Sequence, residues 1–188
     1  MSTEPSSRIS TDPDFRYSWY ARLFFANQRR RYGKELEPAR LWARTPKVFA
    51  ALSLLYGALD RRRSPIEPAL RSLITVRVSQ INWCAFCVDI NSATGLKRGI
   101  SDAQLAALPE FATSPLFDER HKAALAYAEA ITRTDVGVDD ALMARVKACF
   151  DDNAVIELTA LIAFQNMSSK FNSALDVAPQ GFCRLPQK

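Results

Sequence analysis

A chain of 188 residues is sized for one domain with a substantial core. Its 48% hydrophobic and 24% charged residues are globular in proportion, which excludes a disordered or membrane-embedded chain, and no run of about 18 apolar residues offers a bilayer span. The formal charge of +5 sits in the first third: up to Ser64, 13 Lys or Arg face 6 Asp or Glu, and beyond it 12 face 14. Arg29-Arg30-Arg31 and Arg61-Arg62-Arg63 are the two clusters. Each closes an apparent helix, where cations complement the dipole, so solvated helix ends are the preferred reading over a nucleic-acid surface. Anionic substrates stay open.

The opening MSTEPSSRISTDPDF is polar and carries acids, fitting neither a secretory signal nor a transit peptide, so a cytoplasmic location is expected. Residues 1–12 read as a disordered lead-in, and 14–32 as a basic helix stopping at Gly33. Thr45-Pro46 starts a helix over KVFAALSLLYGALDRRR, and Ser64-Pro65-Ile66-Glu67 reads as a capping box for the next. That helix carries Leu70, Leu73, Ile74, Arg77, Val78 and Ile81 near one face; its β-branched stretch ITVRV fits helix at least as well as strand. Gly99 is placed to end a cysteine-bearing helix in a left-handed cap, and Ser101 with Gln104 to open another. Asp118, Asp139 and Asp151-Asp152 cap the last three helices, the final one closed by Pro179. The fold class predicted is all-α, a helical bundle. Phe49, Phe111, Phe150, Phe164 and Met167 read as core or subunit contacts.

Chemistry concentrates at Cys84-Ala85-Phe86-Cys87, with Asn91 four residues on. Two thiols at this spacing can share a helical turn and exchange between dithiol and disulfide. With Asn82 as N-cap, both sulfurs would lie in the first turn, where the dipole and unsatisfied N–H groups favour thiolate. Half of a zinc site is one alternative, but the remaining ligands available, Cys149, Cys183 and His121, are isolated in sequence. Two cysteines that merely pack is the other. His121, amid Asp118, Glu119, Arg120 and Lys122, reads as solvent-facing rather than as a base. Arg77, on an apolar face, requires a counter-charge, which a thiolate or Glu157 could supply; a structural ion pair is the plainer account.

The stretch LRSLITVRVSQINWCAFCVDINSATGLKRGIS, with DERHKAALAYAEAITR and VIELTALIAFQNMSSKFNSAL, resembles the carboxymuconolactone decarboxylase and alkylhydroperoxidase D-like family. The likeness covers residues 46–178, leaving 1–45 as an N-terminal extension and 179–188 as a tail. It implies an all-α homo-oligomer (dimer, trimer or hexamer) with no metal, haem or flavin cofactor and no membrane partner. It further implies that Cys87 attacks a small-molecule hydroperoxide and that Cys84 resolves the sulfenic acid to a disulfide, which a dithiol reductant protein reopens. The family's relay places a Glu and a His where this chain has Ser72 and Asn91. Neither is a base near neutral pH, so Asn91 is expected to donate to the thiolate and Ser72 to hold a water, with slower turnover. The alternatives are a lyase acting on an aromatic breakdown product, which needs no cysteine pair, and a redox-sensing oligomer without turnover.

Overall fold

The structure is a computed structural model describing residues 7–9 and 14–183. Among these there are nine α-helices and no strand: α1 (Trp19–Tyr32), α2 (Glu37–Trp42), α3 (Pro46–Leu59), α4 (Pro68–Ile81), α5 (Ala85–Lys97), α6 (Asp102–Ala106), α7 (Glu119–Thr132), α8 (Asp140–Lys147) and α9 (Asp152–Ala174). The all-α expectation holds. No helix is long and apolar enough to cross a membrane among the described residues.

Helix starts follow side-chain chemistry. Ser101 and Gln104 form the reciprocal capping box, and Asp118, Asp139 and Asp151 each accept the backbone N–H three residues on. Gly99, at φ +89°, makes the left-handed exit from α5. The N–H of His121 holds the Asp118 carboxyl below its ordinary pKa. A lowered carboxylate pKa stabilises the fold above the unfolded value of about 3.9, and that stability drains as pH falls through the folded value. Asp118→Ala is therefore expected to cost about 1 kcal/mol at neutral pH and nearly nothing in strong acid, checked by urea unfolding at both.

Three boundaries differ from expectation. Glu67, not Ser64, is the N-cap of α4, and Pro68 opens its first turn. Ser64 Oγ instead accepts from Ile66 N–H and donates to Glu157. The six-residue α2 was not foreseen, since a single turn and a half shows no period. Asn82 is the C-cap of α4 rather than the N-cap of α5. Of the lead-in, residues 7–9 dock on the end of α9, with Arg8 N–H donating to Leu175 O and its guanidinium to Ala174 O. The rest of the expected lead-in over residues 1–12 lies outside the described residues.

Two apolar clusters organise the molecule. The larger joins α4, α7, α8 and α9 through side chains such as Leu70, Ile74, Leu125, Val146, Leu158 and Ile162. The smaller joins α1, α2 and Phe49 of α3 to Cys84, Phe86 and Cys87 of α5. Helix α9 takes part in both, with Leu158 and Ile162 in the larger and Phe171 packed on the smaller, and it changes character along its length. On the buried face of α9, Leu158 and Ile162 give way to Gln165, Ser169 and Asn172 at the same i, i+3 or i+4 spacing. Buried polar side chains require partners, and the partners here surround the cysteines.

Candidate active site

The cysteine pair stands where α4 passes into α5. Trp83 N–H donates to Gln80 O and Cys84 N–H to Ser79 O, the paired bonds of a Schellman motif with Trp83 left-handed at φ +55°. A tryptophan in that conformation is strained by about 1–2 kcal/mol, and its ring is 88% exposed. The turn makes Cys84 the N-cap of α5, its sulfur accepting the Cys87 backbone N–H at 3.2 Å. Both sulfurs thus lie at the positive end of the helix, as the spacing predicts, although Cys84 does the capping that was assigned to Asn82. The Asn82 amide donates instead to Asn166 Oδ1 and Ser169 Oγ, tying the turn to α9.

Cys84 and Cys87 are joined in a disulfide with 5.2 Å between their Cα atoms, 1% and 3% exposed. Cys149 and Cys183 are free thiols. Cys87, unlike Cys84, lines a partly open cavity of about 310 Å³, at the lower end of the range for small-molecule sites. Ser72 and Asn91 line the same cavity. The expected amide bond to the sulfur exists, but Asn91 does not make it. Asn91 Nδ2 donates to Ser79 Oγ at 3.3 Å, whereas Asn172 Nδ2, from α9, reaches Cys87 Sγ at 3.2 Å. Asn172 is 2% exposed, and its Oδ1 has no hydrogen-bond partner among the described residues.

Ser79 is the hub that holds this end rigid. It donates to Thr75 O and accepts from both Asn91 and Gln165 Nε2, the latter at 2.9 Å. Ser72, two turns earlier on α4, accepts from Arg98 Nη1 at 3.3 Å. The serine thus faces the cavity beside a guanidinium, at the end remote from the sulfur. Phe24, Trp42, Tyr56 and Phe164 supply aromatic wall, Trp42 stacked on Phe171 at 3.7 Å. The short α2 and the basic α1 are therefore parts of the cavity, and Phe164 is a cavity residue rather than plain core.

Two further expectations resolve. Arg77 pairs with Glu129, through Nε at 2.6 Å, and with Gln80, while Glu157 pairs with Arg61. The structural ion pair is the observed arrangement, and the counter-charges suggested by sequence, a thiolate or Glu157, are not used. Breaking this largely buried pair with Arg77→Leu is expected to cost about 3 kcal/mol, much of it regained in the double variant with Glu129→Leu, without altering thiol oxidation. His121 does not line the cavity; its Nδ1 lies 2.5 Å from the Asp118 carboxylate at the start of α7. Among the described residues no group of three His, Cys, Asp or Glu side chains could hold a metal ion.

The sequence profile of the carboxymuconolactone decarboxylase family matches residues 46–130, the span that carries the cysteine pair. Over 160 residues the chain is 48% identical to the uncharacterized protein YnjA of Escherichia coli K12, covering 85% of this chain and 88% of that one. The chain belongs to the carboxymuconolactone decarboxylase and alkylhydroperoxidase D-like family. The fold agrees. A peroxidase-related protein from Ralstonia eutropha JMP134, described as an alkylhydroperoxidase AhpD core, superposes with a TM-score of 0.85 at 19% identity, over 98% of this chain and 100% of that one. An Agrobacterium tumefaciens protein of unknown function, described as a putative antioxidant defence protein AhpD, superposes with a TM-score of 0.67 at 26% identity, over 71% of this chain and 91% of its own. For the family, a Cys84–Cys87 pair at a helix start is consistent with redox chemistry.

Proposed function

We propose that this protein is a thiol-dependent peroxidase whose Cys84–Cys87 pair cycles between dithiol and disulfide. The observation that carries the reading is Cys87 Sγ: bridged to Cys84, placed in a cavity wall, and given a buried amide donor by Asn172. In the dithiol form the Cys87 thiolate attacks the terminal oxygen of an organic hydroperoxide. An S–O bond forms, the O–O bond breaks, and the alkoxide leaves as alcohol after taking a proton. The Cys84 thiol then attacks the sulfenic sulfur, the S–S bond forms, and the hydroxyl departs as water. Two electrons pass from the dithiol to the peroxide, and an external dithiol protein returns them by thiol–disulfide exchange.

The chain supplies orientation where a full relay supplies a base. Cys84 receives the N3 backbone N–H and Cys87 receives Asn172, so each sulfur is offered a donor that favours its charged form. Asn91 and Ser72 line the same space, Asn91 locking Ser79 in place and Ser72 facing Arg98. General-base help is worth roughly 10² to 10⁴ in rate, so turnover slower than in a member with the full relay is part of the proposal. Assembly as a homo-oligomer belongs to it as well, in keeping with the exposed apolar residues Val48, Leu54 and Leu55 on α3. The test is consumption of cumene hydroperoxide in the presence of dithiothreitol. Sustained turnover supports the reading, and a protein whose thiols stay reduced under peroxide overturns it.

A further inference from the structure

The end of the cavity remote from Cys87 is cationic, and the peroxidase chemistry makes no use of it. Arg31, Arg71 and Arg98 line the cavity, and the one acid among its described lining residues is Asp60, a formal balance of +2. Arg98 takes Asp60 fully, with Nη2 2.8 Å from each carboxylate oxygen. Arg71 is left with a looser approach to the same carboxylate at 3.6 Å, and with the carbonyls of Leu59 and Arg61 as acceptors. It is 4% exposed, and its Nε has no acceptor among the described residues. Burial pulls the Arg71 guanidinium below its ordinary pKa, with Asp60 opposing. A buried cation that shares half a counter-ion is costly unless something else completes it.

Arg31 reaches the same end from α1. It lies over the Tyr32 ring at 5.3 Å with no acidic partner among the described residues. The Tyr56 phenol has Asp60, Tyr32, Arg31 and Arg98 for its ionisable neighbours. Two independent helices set the separation of the ends. From Ser79, level with the sulfurs, to Arg71 is eight residues of α4, or about 12 Å; from Cys87 to Arg98 is eleven residues along α5 and its cap, or about 16 Å. Between them the wall is mostly apolar and aromatic.

We infer that the cavity takes an amphipathic organic anion, its carboxylate held by Arg71, Arg31 and the Ser72 hydroxyl, its apolar body lying along Trp42 and Phe164 toward Cys87. This deepens the peroxidase reading by naming the substrate class: an organic hydroperoxide with a carboxylate well removed from the O–O bond. A guanidinium binds a carboxylate with charge-assisted hydrogen bonds, and the excess positive charge also draws such molecules in from solution.

Binding is measured apart from turnover, by titrating the oxidised protein with decanoate and with decanol in a calorimeter. Decanoate is expected to bind at least tenfold more tightly. Arg71→Gln is expected to weaken decanoate about tenfold and leave decanol unchanged. Arg71 also ties down two carbonyls, so the exposed Arg31 gives a second arm: Arg31→Gln should keep the melting temperature and weaken decanoate about threefold. In turnover, linoleic acid hydroperoxide should show a lower KM than its methyl ester at similar kcat. Equal binding of decanoate and decanol, or a preference untouched by both variants, overturns the anion site. Tight decanoate binding without peroxide turnover supports the site and sinks the peroxidase reading; turnover indifferent to the carboxylate does the reverse.

Discussion

Cys87→Ser is expected to reduce hydroperoxide consumption to the uncatalysed background, and Cys84→Ser to stop sustained cycling after one equivalent. The two failures differ in kind. Without Cys87 no sulfur among the described residues lines the cavity, since Cys84 is not part of its wall. Without Cys84 the first oxygen transfer still proceeds, but the sulfenic acid on Cys87 has no neighbour to close the disulfide. It then persists, traps an external thiol, or is oxidised further. Trapping with dimedone and weighing the protein checks this: the adduct should appear in Cys84→Ser and be absent from Cys87→Ser. An adduct in neither variant, with turnover retained in both, would assign the chemistry to groups other than the cysteine pair. Cys149 and Cys183 serve as internal controls, because both are free and neither lines the cavity.

Asn172→Leu is the second large effect, and its signature lies in pH. A hydrogen bond to a charged partner is worth roughly 1.5–3 kcal/mol, and about 1.4 kcal/mol corresponds to one pKa unit. Removing the amide should therefore raise the Cys87 thiol pKa. At neutral pH the thiolate fraction falls, while nucleophilicity rises with basicity at a Brønsted slope of about 0.4–0.5, leaving a net loss of up to about threefold to tenfold. Above the new pKa the variant should match or exceed wild type. A merely structural role for Asn172 would lower the rate at every pH and leave the profile's midpoint in place. Asn172→Asp sharpens the test, because a carboxylate beside the sulfur opposes thiolate formation and should move the midpoint further. The Asn172 Oδ1, which has no partner among the described residues beside the disulfide, gains a candidate donor when reduction creates a thiol.

Much of the fold is legible in local signals. Asp118, Asp139, Asp151 and the Ser101–Gln104 pair declare helix starts because a short oxygen-bearing side chain is what an unsatisfied N–H accepts best. Where a different atom does the capping, sequence misleads. Asn82 is a favoured cap and Cys84 is not, yet the Schellman turn hands the role to sulfur. Ser64 is likewise a better cap by type than Glu67, but its hydroxyl is committed to Ile66 and Glu157.

The site divides in the same way. Cys84, Cys87, Ser72 and Asn91 are reachable from spacing within two adjacent helices and from family resemblance, and Cys87, Ser72 and Asn91 do meet in one cavity. Asn172 and Trp42 arrive from elsewhere in the chain, and Arg71, although on α4, has no local period that links it to the cysteines. A trace of Asn172 was present: Gln165, Ser169 and Asn172 continue the buried face begun by Leu158 and Ile162. A polar run on a helix face that should be apolar marks a place where the interior needs hydrogen bonds, and here those bonds run to Ser79, Asn82 and Cys87. Arg71 left a fainter trace, one position from Ser72 on a helix already crowded with core residues.

Counting thiols after a single equivalent of peroxide tests the central claim most directly. The chain has four cysteines. After full reduction, removal of reductant and one equivalent of cumene hydroperoxide, alkylation and mass mapping should find two thiols lost, both from the peptide spanning Cys84 and Cys87, and restored by dithiothreitol. Four alkylated cysteines after that treatment, or losses confined to Cys149 and Cys183, would contradict the account.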